Sequence, residues 1–172
     1  MHGAYKTGLQ KTKWELEDFL RSLSNLFKES PARRGDYTKI TGSSLFPMTF
    51  CSIRWIKNAP VSERAIKILP NLRKFVDEVK KNSDYTEPTC KPFLKLAIAL
   101  KDKFLPAKLA FFHSLATDFE PFLTEFQSDA PLAPFLYSTL TLLLRTCLVR
   151  FVKEEVLSST ELHLIDVFQK KG

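Results

Sequence analysis

The sequence predicts a mainly α chain, a helical bundle that carries one short β element. Three observations lead there. Apolar residues recur at three- and four-residue spacing along most of the 172 positions. Glycine is scarce, 5 against 10 prolines, which disfavours tight hairpins and favours helices joined by proline-containing turns. One run, Leu45–Ile53, interrupts the helical pattern with β-prone residues.

The elements follow in chain order. Gly8–Ser30 reads as an amphipathic helix, with Trp14, Leu16, Phe19, Leu20, Leu23, Leu26 and Phe27 on one side. Thr12 is placed to cap it, and Glu15 three residues on completes a capping box. Pro31 ends that helix and suits the first turn of a short one over Pro31–Ile40. The turn "TGSS" follows at 41–44. Thr49–Ile53 then reads as a strand, after Pro47, with Arg54 and Trp55 pointing to opposite faces at its end. Ser62–Lys81 is helical, with Pro70 predicting a kink or a break. The polar stretch at 81–89, "KNSDYTEPT", is the best linker in the chain. Beyond it come helices over Lys91–Lys103, Pro106–Gln127, Pro131–Lys153 and Ser159–Lys170. Pro121 divides the second of these, and Asp118 is placed to cap its latter half. The charge-free run Ala130–Leu144 is shorter than the ~20 residues of a bilayer span and reads as a buried helix, so no membrane partner is expected. A lone strand leaves its backbone amides without partners, so its neighbours are expected elsewhere.

Composition narrows the function. The formal net charge is +7, and all of it sits in residues 1–80, which hold 15 Lys and Arg against 8 Asp and Glu; residues 81–172 hold 11 of each. The first half therefore suits an anionic partner, or else a solvated basic surface. Cys51, Cys90 and Cys147 stand far apart and are odd in number, which argues against a disulfide framework or a zinc site and for an intracellular compartment. His2, His113 and His163 have no metal-ligand spacing, and His113 within "LAFFHSLA" reads as a satisfied, partly buried histidine. No catalytic, dinucleotide or phosphate-loop motif is present. No cofactor and no small-molecule substrate is expected. Glu15, Glu17, Asp18 and Asp36 are poorly placed to converge on two metal ions, so the chain is not expected to be an enzyme.

The basic residues around the β-prone run carry the functional signal. Arg33, Arg34, Lys39, Arg54, Lys57 and Arg64 surround it, and Tyr37, Phe46 and Trp55 are interleaved with them. Cations neutralise phosphates, and aromatic rings stack on bases for ~1–3 kcal/mol each. The competing reading is that Phe46, Phe50 and Trp55 are core anchors.

Four segments, "HGAYKTG" (2–8), "SPARRGDYTKITGSSLFPMTFCSIRW" (30–55), "ERAIKILPNL" (63–72) and "SDAPLAPFLYSTLTLLLR" (128–145), resemble transposase-like proteins of the hAT superfamily. In that family an Arg-Trp pair follows a strand of the RNase H-like catalytic domain and leads into a large helical insertion. The resemblance therefore implies that residues 1–82 are a partial RNase H-like core bearing Arg54–Trp55, and that 83–172 are an insertion-type bundle. It implies that Trp55 stacks on a base, that Arg54 contacts DNA or braces the strand, and that the missing strands lie upstream. The family cuts DNA with two aspartates and a late glutamate around divalent metals. None of the three maps onto this sequence, so the resemblance implies a catalytically inactive piece. The implied partners are DNA and, through apolar helices left uncovered, a second copy of the chain. The resemblance points to the nucleus, whereas composition says only nucleus or cytoplasm.

Overall fold

The computed structural model describes residues 2–127 and 132–159; the side chains of His2, Ala4, Tyr5, Trp55 and Ser159 lie outside that description. Eight α-helices are found among the described residues: α1 (His2–Lys11), α2 (Leu16–Phe27), α3 (Pro31–Thr41), α4 (Ala59–Lys81), α5 (Lys91–Ala99), α6 (Leu105–Glu125), α7 (Leu136–Leu148) and α8 (Glu154–Ser159). Single 3-10 turns precede α4 at Trp55–Asn58 and α7 at Ala133–Phe135. The protein is mainly helical, as predicted. It forms two compact units, Met1–Ala116 and Thr117–Gly172.

The long helix predicted over Gly8–Ser30 is two helices. The Thr12 hydroxyl donates to Leu9 O at 2.6 Å and accepts from the Trp14 N–H at 3.3 Å. Thr12 thus closes α1 instead of opening α2. Lys13 and Glu15 then take φ of 56° and 53°, and the chain turns sharply. The turn sets Trp14 edge-on to Phe111, with ring centroids 5.5 Å apart. In α2, Leu16, Phe19, Leu20, Leu23, Leu26 and Phe27 are all buried, which makes it the central helix of the first unit. The predicted α3 is present. It ends on Gly42, whose φ of 70° lets its N–H reach Thr38 O at 2.8 Å.

The predicted strand over Thr49–Ile53 is absent, and no strand exists among the described residues. Its place is taken by an extended loop that a side chain holds. Asn58, fully buried, accepts from the Cys51 N–H at 2.7 Å and donates from Nδ2 to Cys51 O at 2.8 Å. One carboxamide thereby supplies the donor and acceptor that a neighbouring strand would have supplied. Pro47 lacks a donor, and Ile53 is 82% exposed, so the segment has neither the ladder nor the buried face of a strand.

α4 carries Pro60 in its first turn and runs unbroken through Pro70, which lies on the exposed side where its missing N–H costs least. Val61, Ala65, Ile68, Leu69, Leu72, Phe75, Val76 and Val79 face the core. The polar stretch after Lys81 is a loop. It does not end the unit: α5 returns to pack along α2, and Lys95 pairs with Asp18 at 2.6 Å. The boundary between compact units falls at 116/117, not at 82/83. The core of the first unit centres on Phe27, whose ring meets Tyr37 at 5.1 Å, Phe46 at 5.8 Å and Phe75 at 5.9 Å. Tyr37 is fully buried, and its hydroxyl has no hydrogen-bond partner although Asn71, Ser43 and Thr41 stand close by; burial raises its pKa above the ordinary phenolic range. His113 is half-buried, and its Nδ1–H donates to Ala59 O at 3.0 Å.

In the second unit, Phe122, Leu143 and Leu157 are buried. α6 continues through Pro121, so Asp118 caps nothing and instead pairs with Arg150. Arg145 donates to Leu157 O at 2.8 Å and so ties α7 to α8. The apolar run expected to be a buried helix is mostly open. Phe135, Leu136, Tyr137, Leu142 and Leu144 are all at least 45% exposed. The helix predicted over Ser159–Lys170 lies outside the described residues, apart from Ser159 at the end of α8.

Candidate nucleic-acid interface

The basic residues singled out by the sequence fall into three groups. Arg33 and Arg34 open α3 and turn back onto the end of α2. Arg33 donates to Leu26 O at 3.0 Å and Arg34 to Phe27 O at 2.9 Å. These carbonyls end a helix and have no partner within it, so two guanidiniums cap α2 and also offset the negative end of its dipole. The Arg34 guanidinium further lies 5.4 Å from the centre of the Phe46 ring. Arg64 joins this group from α4 by donating to Phe46 O at 3.1 Å. Phe46 is thus the meeting point of Arg34 and Arg64.

Lys39 stands apart, near the end of α3, with its ammonium 5.5 Å from the Tyr85 ring centre. Arg54 and Lys57 form the third group and are exposed. The Arg54 N–H donates to Cys51 Sγ at 3.4 Å, and Arg54 O accepts from the Lys57 N–H at 3.0 Å. The backbone of Trp55 opens the 3-10 turn; its side chain lies outside the described residues.

The aromatic half of the expected interface is largely core. Tyr37 is fully buried, Phe50 is 9% exposed, and Phe46 sits half-buried against Phe27 and Tyr37. The reading of Phe50 as an anchor holds, and Tyr37, expected at the interface, is core instead; neither has a face to offer a base.

Sequence reasoning named Arg64 alone on α4. Lys67, Lys74 and Lys81 are exposed on the same helix at seven-residue intervals, and seven residues are nearly two turns. That spacing was the available signal. Lys67 pairs with Glu63 at 2.6 Å, and this contact holds the Glu63 carboxyl below its ordinary range. Glu78 accepts from Asn82 Nδ2 at 3.0 Å.

Charge follows the compact units more closely than it follows the halves of the chain. Residues 1–116 hold 21 Lys and Arg against 11 Asp and Glu, a net +10, while residues 117–172 hold 5 against 8, a net −3. An open hollow of about 580 Å³ lies beside α3 and the end of α4, lined by Arg33, Asp36, Phe75, Tyr85, Glu87 and Cys90. Asp84 also lines it, so three carboxylates stand against the single Arg33 and the hollow does not suit an anion. Among the described residues, no three His, Cys, Asp or Glu side chains gather closely enough to share a metal ion, and no helix is long and apolar enough to cross a membrane. The three cysteines are free thiols, and burial raises the pKa of Cys147. Comparison with protein-family models, with curated proteins and with solved structures finds no match to this chain.

Proposed function

We propose that this chain is a catalytically inactive segment of a hAT-type transposase-like protein, and that its basic first unit holds DNA weakly and without sequence preference. The observation that carries this reading is the net +10 of residues 1–116, set beside a net −3 in the remainder. The four segments that resemble the hAT superfamily supply the kind of partner. A surface that works by charge alone binds through counterion release, so its affinity is about micromolar at best in low salt and falls steeply as salt rises. Fluorescence anisotropy with labelled duplex, hairpin and single-stranded DNA at roughly 50 and 200 mM salt tests this. Binding at the lower salt, abolished at the higher, with the DNA left uncut in the presence of Mg²⁺, is the expected result. No binding to any of the three, or affinity indifferent to salt, removes the DNA role.

A second reading, a helical oligomerisation module, is favoured by α7. Phe135 and Leu142 are exposed on one side, Tyr137 and Leu144 on another. A helix apolar on several sides belongs in an interior. Its one charged residue, Arg145, is bonded to Leu157 O, so the surface suits an uncharged apolar occupant. The same surface on a second copy of the chain is such an occupant. Sedimentation is expected to show a dimer that Leu142→Lys with Leu144→Lys dissociates. A clean monomer over a wide concentration range rules this reading out.

A further inference from the structure

We propose that the DNA-contacting surface is the outward side of α4, where Lys67, Lys74 and Lys81 form one row, and that it grips the phosphates of duplex DNA without stacking on bases. This rests on the reading that the first unit binds DNA. It moves the contact away from the arginines that the sequence made most conspicuous. Arg33, half-buried, and Arg34, exposed, are both committed to carbonyls, Leu26 O and Phe27 O, where they close α2. A phosphate that drew them off would uncap that helix. The row on α4 carries no such cost. Lys74 and Lys81 are exposed, and Lys67 is committed to a surface pair with Glu63 that is itself 59% and 49% exposed. Pairs of that kind exchange readily for another anion because each partner is already half solvated.

The geometry of the row suits a duplex. Successive steps of seven residues advance ~10 Å along the axis and return within ~20° of the same side. From Lys67 to Lys81 the row spans ~21 Å, about six base pairs of duplex at ~3.4 Å each. Each ammonium can therefore meet a different phosphate. Single strands are better held by aromatic platforms, and here Tyr37 and Phe50 are packed in the core. The row's own acids limit it. Glu63 partly neutralises Lys67, and Asp77, exposed, and Glu78 lie between Lys74 and Lys81, which keeps the affinity low.

The experiment is an anisotropy titration of a 20-base-pair duplex, and of a single strand of equal length, over a salt series. Two charge-matched variants are compared: Lys74→Glu with Lys81→Glu on the row, and Lys101→Glu with Lys103→Glu off it. Circular dichroism confirms folding, and Lys74→Gln with Lys81→Gln gives a milder version should the reversal fail to fold. The row reversal is expected to weaken duplex binding about tenfold or more and to flatten the salt slope by roughly two, one for each phosphate that a lysine no longer neutralises. The off-row pair should change affinity less than about threefold, since it removes only general charge. Duplex should bind at least as tightly as single strand. Equal weakening in both variants, unchanged binding in the row variant, or a clear preference for single strand overturns the proposal. Failure of the unaltered protein to bind any DNA overturns instead the reading on which it rests.

Discussion

Replacing Phe27 with alanine is expected to lower the stability of the first unit by about 3–5 kcal/mol, the usual cost of emptying a buried aromatic site. For a chain of this length that is a fall in Tm of roughly 6–20 °C. The ring is 1% exposed and contacts Tyr37, Phe46 and Phe75. These neighbours come from α3, the following loop and α4, so the site has little freedom to collapse. The same residue supplies the carbonyl that Arg34 caps, and a shift of the α2 end would weaken that contact too. Phe46→Ala, at a half-buried position, should cost clearly less. Thermal and urea melts of both variants test the ranking. If Phe27→Ala costs under about 1 kcal/mol, the aromatic cluster is not the centre of the core.

Much of this core is legible in the sequence, for a physical reason. α2 and α4 each bury a single continuous stripe, and a 3.6-residue period is a strong signal when it runs for 12 or 23 residues. Boundaries that depend on one hydroxyl are not legible in the same way. Thr12 followed by Glu15 is the pattern of a capping box, yet a threonine three residues after Leu9 can equally bond backward and stop a helix. The polar loop after Lys81 reads as a domain boundary because composition shifts there. Whether a loop divides two units depends on where the next helix packs, and α5 packs on α2, some seventy residues earlier. Ala130–Leu144 reads as buried because it is apolar, but burial requires a covering surface, which periodicity in one helix cannot supply.

The candidate interface was legible as charge and not as geometry. Two adjacent arginines after a proline look like a phosphate site. Nothing local indicates that they point at carbonyls seven residues back. The buried stripe is the stronger pattern in α4; on its other side Lys67, Lys74 and Lys81 recur at an interval the sequence displays openly. The β-prone run led to a strand before Arg54, with which the resemblance to the hAT superfamily agreed, and the protein has a loop there. The β-prone composition of Thr49–Ile53 is real. Its hydrogen-bonding demand is met by an amide side chain and not by a neighbouring strand.

That substitution makes Asn58 the position where a small chemical change should have a large effect. Asn58→Ala leaves the Cys51 N–H and C=O without partners, at ~1–3 kcal/mol for each group, and so about 2–6 kcal/mol in all, towards the lower end because Cys51 is half-buried. Asn58→Asp separates the two bonds. Its carboxyl still accepts from the Cys51 N–H but, when ionised, presents an oxygen to Cys51 O where Nδ2 had donated at 2.8 Å. A buried carboxylate facing a carbonyl is held protonated, so its folded pKa should rise above the unfolded value of about 3.9. The folded state then binds the extra proton, and the variant is most stable below about pH 4, where the acid donates as the amide did. Its stability should fall as pH rises towards the folded pKa and keep falling until the group is ionised in both states. Melts of Asn58→Asp and the unaltered protein between pH 4 and 8, taken as a difference, should diverge steadily over that range. A difference constant with pH would mean that the side chain at 58 reaches solvent, and that Cys51 is held by something other than a carboxamide standing in for a strand.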